Sequence, residues 1–307
     1  MRIPAPALAV SAMVSVQLGA ALSTHLFAAL TPAGSAWIRV AIAAAILMAV
    51  TRPTLRGLTR SVLVGTLLLG TATGAMTLVF IEAVARLPLG TVVAIEFLGP
   101  LSVAAIRAHR RSALVWPALA LVGVVGLTRP WVGQLNLPGI GFAVASAVGW
   151  GGYILLTQRV GAQVRGLQGL AMSLSIAALV AAPFGAWPAI HGLTPMIALQ
   201  GLGLALLVPL LAFAFEMLAL RRMSVTAFGT LMALEPGLGT AFGLLLLAQT
   251  PSPVQVVGVA LVIAAGIGAQ RKAPLAPVEA PVAPVLAPAR PDTVEPAGAS
   301  CPRGETL

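Results

Sequence analysis

The stretch Glu82–Pro100, EAVARLPLGTVVAIEFLGP, decides the fold because it places one carboxylate, Glu96, deep in an apolar run. The stretch Leu218–Pro236, LALRRMSVTAFGTLMALEP, repeats this pattern with a second carboxylate, Glu235. A shift of 136 residues aligns the two copies and matches four pairs of residues: Ala83 with Ala219, Arg86 with Arg222, Leu98 with Leu234, and Pro100 with Pro236. We interpret the chain as two repeats of one structural unit, each with an acidic residue beside a proline.

Composition places the chain in a membrane. Of its 307 residues, 59% are hydrophobic and 8% are charged, and the mean hydropathy is +1.00. Soluble domains carry about 25% charged residues, so a soluble globular fold is excluded. The net charge of +10 does not indicate a nucleic-acid partner, because the arginines stand singly or in pairs between apolar runs. They are expected to face lipid headgroups instead.

Cysteine and histidine offer no metal or redox chemistry. Cys301 is the single cysteine, so a disulfide within the chain is excluded. The three histidines are scattered and lack the spacing of metal ligands. We therefore expect no metal and no cofactor.

Ten apolar segments are long enough to cross the ~30 Å hydrocarbon core as helices. They are Pro6–Leu30, Ala33–Val50, Ser61–Ile81, Pro88–Arg107, Ser112–Thr128, Pro138–Gln158, Leu167–Trp187, Pro195–Ala219, Ser224–Leu247 and Pro253–Gln270. Each break carries Pro, Gly or Arg, residues that commonly separate helices in lipid. The sequence predicts an all-α integral membrane protein of ten transmembrane helices.

Basic residues in the connections predict the orientation. With the N-terminus in the cytoplasm, thirteen of them fall on the cytoplasmic side, whereas only Arg86 and Arg129 fall outside. This positive-inside bias also places the C-terminus in the cytoplasm. The tail of residues 273–307 is rich in proline and alanine, which predicts a disordered cytoplasmic extension. A proline-rich ligand for a partner domain is the alternative for this tail.

The 136-residue shift moves the chain by five segments, which is an odd number. Matched segments must then cross the bilayer in opposite directions, so residues 1–133 and 134–272 are predicted to form two inverted five-helix repeats. Many secondary transporters have this architecture, with the substrate site near the midplane where the repeats meet.

Glu96 and Glu235 are the main candidates for chemistry. A carboxylate near the middle of a membrane helix is costly, so it is expected to face water or a partner and to be functional. Pro100 and Pro236 cannot donate to the carbonyls four residues back, and such unpaired backbone is tolerated where it lines protein or water. We expect both acids to reach one shared opening. The plainer alternative is a kinked helix whose protonated glutamates bond to neighbouring backbone.

Other polar residues inside the segments extend the candidate site. Arg39 either snorkels outward or holds a substrate carboxylate. Gln17 matches Tyr153 under the 136-residue shift, and Trp150 lies on the same face of its segment as Tyr153; all three are candidates for a polar cavity wall. Glu216 is a candidate gate or an interfacial anchor. Glu82 pairs with Arg86 one turn on and is read as an anchor.

At these residues a resemblance can be stated. The segments Gly90–Leu101, GTVVAIEFLGPL, and Phe215–Pro236, FEMLALRRMSVTAFGTLMALEP, closely resemble signature segments of the threonine and homoserine exporters. These exporters form a subgroup of the EamA family, in the drug/metabolite transporter superfamily. The resemblance in pattern covers about residues 6 to 270.

The resemblance implies a fold and an activity. The fold is a ten-helix bundle in the bacterial inner membrane, with segments five and ten at the periphery, where a homodimer would form. The activity is proton-driven export of small amino acids by antiport, without enzymatic chemistry. Glu96, Pro100, Glu235 and Pro236 match the subgroup's motif, while Arg39 and the wall residues match it loosely. The rival hypotheses are an exporter of drugs, polyamines or other metabolites, an intramembrane enzyme with two acid/base glutamates, and a structural or sensing membrane protein.

Overall fold

A computed structural model of the chain describes residues 4–53, 59–107, 111–132, 135–160, 166–220, 222–223 and 225–271. These residues fall within one compact unit. The proline-rich tail lies outside the described residues, so its predicted disorder stays a prediction.

Helices account for the regular structure of the described residues. In chain order they are α1 (Ala5–Ser23), α2 (Phe27–Thr51), α3 (Arg60–Val84), α4 (Leu89–Glu96), α5 (Leu98–Arg107), α6 (Val115–Thr128), α7 (Leu137–Val160), α8 (Gly166–His191), α9 (Pro195–Ala205), α10 (Phe213–Leu220), α11 (Val225–Met232), α12 (Glu235–Leu247) and α13 (Pro253–Arg271). Short 3₁₀ turns cover Thr24–Leu26 and Arg111–Leu114, and a π-helical stretch covers Leu206–Ala212.

Eight helical stretches within the described residues are long and apolar enough to cross a membrane. One of them, Ala5–Thr51, has 47 residues because α1 runs into α2 through the 3₁₀ turn. A shorter apolar helix covers Ser112–Thr128. The chain is therefore a multi-pass membrane protein. Ten crossings result if Ala5–Thr51 crosses the membrane twice and the shorter helix Ser112–Thr128 crosses once. The number ten stays a prediction.

The long first stretch is kinked at Thr31. This residue has φ 62° and ψ 164°, outside the helical region, and Pro32 follows it. The Thr31 hydroxyl Oγ1 accepts a hydrogen bond from the backbone N–H of Gly34 at 3.3 Å. Threonine thus caps a new helical start and proline occupies the first turn, where its missing N–H costs nothing. The kink lies at the break that the sequence predicted between Leu30 and Ala33.

Two further segments are broken where the sequence placed its glutamate–proline pairs. Helix α4 ends at Glu96 and α5 begins at Leu98, while α11 ends at Met232 and α12 begins at Glu235. Pro100 has no N–H for the carbonyl of Glu96, and Pro236 has none for that of Met232. Both helices therefore stop at the carbonyl that the following proline leaves without a donor.

Helix α4 lies at the centre of the packing. Each of its residues from Leu89 to Ile95 is buried. One side contacts α12 so closely that a Cβ on Gly90 would lie 2.1 Å from Thr240 Oγ1, and the other side contacts α7. Elsewhere α2 packs on α8, α3 on α7 and α8, and α6 on α13. The ends of α4 and α12 are thereby fixed in the interior, together with the acids they carry.

Candidate substrate and proton site

Glu96 lies at the C-terminal end of α4 and is partly buried. Its Oε1 accepts a hydrogen bond of 2.5 Å from the Ser146 hydroxyl of α7, and Ser146 is fully buried. Short hydrogen bonds of this kind form when a carboxylate is one partner. Ser146 therefore holds the Glu96 carboxyl toward α7.

The same face of α7 carries the predicted aromatic residues. Ser146, Trp150 and Tyr153 follow one another at spacings of four and three residues, so they line one face of the helix. The Trp150 ring meets Phe97, the residue after Glu96, edge to face with centroids 6.3 Å apart. Trp150 and Tyr153 are both partly buried. The two residues predicted for a cavity wall therefore lie on the face of α7 whose Ser146 bonds to Glu96.

Arg39 of α2 is inside the bundle, since only 6% of it is exposed. Its guanidinium is close enough to the Glu96 carboxylate for a Coulombic attraction. The structure therefore disfavours the alternative in which Arg39 snorkels to the surface.

Glu235 is the first residue of α12 and is 6% exposed, and Pro236 beside it is fully buried. The Glu235 carboxylate is close enough to those of Glu96 and Glu216 for Coulombic repulsion. The structure therefore gathers the two principal acids and the candidate gate in one region. Pro100, in the first turn of α5, is partly buried.

Gln17 of α1 is 2% exposed. Its Oε1 has no hydrogen-bond partner among the described residues. A Cβ built on Gly239 of α12 would lie 3.5 Å from this oxygen. Gln17 therefore lies against α12, one helical turn beyond Glu235.

Glu82 lies apart from this site. Its carboxylate forms a salt bridge with Arg86, whose guanidinium also lies 4.8 Å from the centre of the Phe142 ring. This pair joins the end of α3 to α7, in agreement with an anchoring role.

Two cavities are found away from the acids. One of about 210 Å³ lies at the end of the bundle that carries Arg129 and Asn136, and one of about 240 Å³ lies between α1 and the π-helical stretch. Neither is lined by Glu96 or Glu235. These cavities do not supply the shared opening that the sequence led us to expect, and both acids lie among packed helices. Among the described residues no cluster of three His, Cys, Asp or Glu side chains could hold a metal ion.

Sequence reasoning missed Ser146. A serine fifty residues from Glu96 carries no signal by itself, because serine is common in membrane helices and often bonds to its own backbone. Its position four residues before Trp150, on the predicted wall, was the available signal.

Comparison with known proteins identifies the family. Residues 137–268 match the EamA-like transporter family. The threonine/homoserine exporter RhtA of Escherichia coli (strain K12) is 36% identical over 203 residues, covering 65% of this chain and 68% of that protein. The RhtA of Salmonella typhimurium (strain LT2) is 35% identical over 205 residues with the same coverage. A solved crystal structure that is 22% identical, with a TM-score of 0.56, covers 88% of this chain and 97% of its own, which shows a shared fold.

Apolar helices of membrane length and relatives that are exporters define a multi-pass transporter of the inner membrane. The chain belongs to the EamA-like transporter family, in the subgroup of threonine/homoserine exporters.

Proposed function

We propose that the protein exports small amino acids resembling threonine and homoserine, in exchange for protons and by alternating access. The observation that carries this proposal is the meeting of two acids and one arginine inside apolar helices. Buried charges of both signs suit a zwitterionic substrate, whose ammonium and carboxylate each need an opposite charge.

Arg39 is the proposed partner of the substrate carboxylate. Its guanidinium presents several donors in a fixed plane, which suits two-point recognition of a carboxylate. Glu96 provides a compensating charge for the Arg39 guanidinium. Entry of a substrate carboxylate would replace that attraction and release Glu96 to bind the ammonium group.

Glu96 and Glu235 are the proposed proton carriers. A carboxylate can hold a substrate ammonium or a proton, and the two occupancies exclude each other. The mutual repulsion of these acids favours a state in which one of them is protonated or paired with a cation. Arrival of an external proton would therefore expel the substrate, which is the chemistry that antiport requires.

The inverted repeat supports alternating access. A shift of 136 residues carries α4, Leu89–Glu96, onto α11, Val225–Met232, and carries the end of α3 at Val84 onto the end of α10 at Leu220. The helix contacts fit the same shift, which carries α1 onto α7 and the end of α3 onto α10. Helix α3 packs on α7, and α10 packs on α1. Rocking of two such repeats about a midplane site would open that site to each side in turn.

Ten crossings and cytoplasmic termini complete the proposal. The stretch Ala5–Thr51 would extend about 70 Å at 1.5 Å per residue, more than twice the hydrocarbon thickness, and Thr31 breaks it. With ten crossings, the thirteen-to-two bias in basic residues places both termini inside.

In this orientation Glu216 lies toward the cytoplasm and is the proposed gate. The mutually packed α6 and α13 are the proposed homodimer surface.

Efflux from proteoliposomes tests the proposal. Vesicles loaded with labelled threonine are placed in a proton gradient, and the wild type is compared with Glu96→Gln and Glu235→Gln. We expect each substitution to lower proton-driven efflux at least about tenfold, because the amide cannot release a proton or pair with ammonium. Glu82→Gln is the matched control, since Glu82 lies in a pair away from the site, and it should keep most of the activity.

Unchanged proton-dependent efflux in both Glu96→Gln and Glu235→Gln would refute the mechanism. A panel of drugs, polyamines and amino acids in the same vesicles tests the substrate class. Efflux of the larger solutes without efflux of amino acids would favour the rival transporter.

A further inference from the structure

Gln17 is the buried polar group that the proposed mechanism does not use. It is 2% exposed, and its Oε1 has no hydrogen-bond partner among the described residues. Neighbouring polar residues of α1 differ in this respect. Ser15 donates to the backbone oxygen of Leu207 and Ser23 donates to that of Gly19, each at 2.7 Å. A buried acceptor without a donor costs free energy. A ligand that donates a hydrogen bond to Gln17 would remove this cost.

The position of Gln17 links it to both acidic helices. The point that a Cβ on Gly239 would occupy is 3.5 Å from Gln17 Oε1 and 3.0 Å from Val93 Cγ2. Gly239 lies four residues after Glu235, on the same face of α12, and Val93 lies three residues before Glu96 on α4. The free oxygen therefore lies beside the contact between α12 and α4, next to the residue one helical turn after Glu235.

A small hydroxylated substrate has a polar group that could pair with this acceptor. With the ammonium at the acids and the carboxylate at Arg39, a hydroxylated amino acid keeps one unused donor, its side-chain O–H. Gly239 contributes no side chain beside this oxygen, and the point that its Cβ would occupy is only 3.0 Å from Val93 Cγ2, so α12 lies close to α4 here.

We propose that Gln17 Oε1 accepts a hydrogen bond from the side-chain hydroxyl of the substrate and so selects hydroxylated small amino acids. This inference rests on the proposed export of amino acids. An analogue without the hydroxyl would leave the Gln17 acceptor buried and unpaired, and sites built to bond a hydroxyl reject such analogues strongly. Gln17 is a specificity-determining residue, whereas Glu96 and Glu235 bind whichever amino acid enters.

The test uses 2-aminobutyrate, because both threonine and homoserine become this molecule when the hydroxyl is replaced by hydrogen. Proteoliposomes are loaded with labelled threonine, homoserine or 2-aminobutyrate, and kcat/KM is measured for proton-driven efflux. We expect the wild type to favour the two hydroxylated substrates by at least about tenfold. Gln17→Leu should bring the three values to within about twofold, mainly by slowing the hydroxylated substrates. Ser15→Ala, two residues away on α1, should keep the wild-type ratio.

Each outcome separates this inference from the proposed function. Equal wild-type export of 2-aminobutyrate and threonine, or an unchanged ratio in Gln17→Leu, would overturn the role of Gln17 and leave the exporter intact. Failure of the wild type to move any of the three amino acids would contradict the exporter itself. If Gln17→Leu does not fold, Gln17→Met repeats the comparison. If neither variant transports, ligand protection against thermal unfolding in detergent gives the same ratio, and a ratio equal to that of the wild type overturns the proposal.

Discussion

Glu96 illustrates how the surroundings of a single residue set its electrostatic state. Its position in an apolar run identifies it, but its state is set by Ser146 of α7, Arg39 of α2 and Glu235 of α12. Ser146 stabilises the carboxylate in one orientation. Arg39 attracts it and Glu235 repels it. The electrostatic energy of the ionised Glu96 carboxylate therefore changes when Ser146, Arg39 or Glu235 is neutralised or binds substrate.

Removal of the Ser146 hydroxyl tests the role of its hydrogen bond to Glu96. We expect Ser146→Ala to lower threonine efflux by about tenfold or more, because a hydrogen bond to a charged group contributes about 1.5–3 kcal/mol. Ser146→Thr keeps the hydroxyl and should restore much of the activity. The measurement is the pH dependence of efflux, which should differ between the wild type and Ser146→Ala.

Ser175→Ala provides the control for Ser146→Ala. The Ser175 hydroxyl donates to the backbone oxygen of Ala171 in its own helix and takes no part in the site. A Ser146→Ala profile that overlays the wild type would show that this hydrogen bond is only structural.

At the scale of the helix, the breaks beside the acids are the features that set the site. Proline ends α4 at Glu96 and ends α11 at Met232, so each acid lies at a helix end. Carbonyl groups at such ends lack their usual N–H partners and remain available to a proton, water or an ammonium group. A continuous helix would satisfy these carbonyls internally.

Replacement of Pro236 tests the importance of the break. Pro236→Ala restores the N–H that can bond to the carbonyl of Met232, and alanine favours a helix that continues from α11 into α12. We expect threonine efflux to fall by about tenfold while the thermal unfolding temperature in detergent stays the same or rises. Activity and stability would then change in different directions.

The matching substitution Pro100→Ala should behave in the same way if the two repeats share a mechanism. Full efflux activity in both variants would mean that the breaks are incidental to transport. A fall in both stability and activity would instead assign the prolines to packing.

For the whole molecule, the sequence supplied the class, and the packing supplied the contacts among the polar residues, while the internal repeat stays a prediction. Apolar length and the paucity of charge suffice to predict a multi-pass helical membrane protein. Glu96 and Glu235 could be found because a carboxylate in hydrocarbon is rare. Ser146 and the unpaired acceptor of Gln17 could not, because their meaning depends on neighbours that lie far away along the chain. The absence of Glu96 and Glu235 from both cavities also had no signal in the sequence.

The single cysteine allows a direct test of the orientation. Because Cys301 belongs to the tail that is predicted to be cytoplasmic, a membrane-impermeant maleimide should label it in inverted membrane vesicles and leave it unlabelled in intact spheroplasts. In a Cys301→Ala background, Leu135→Cys in the connection before α7 should show the opposite pattern. Labelling of Cys301 from the outside would reverse the proposed topology.

The π-helical stretch Leu206–Ala212 ends four residues before Glu216. Pro209 lies within it, and a wider turn accommodates a proline that an α-helix would exclude at that point. Residues that follow such a stretch are rotated about the helix axis relative to a continuous α-helix. If Leu206–Ala212 became α-helical, α10 would rotate about its axis and the position of the Glu216 side chain would change. A change of winding in one segment would thus alter the charge near Glu235 without a movement of one half of the chain against the other.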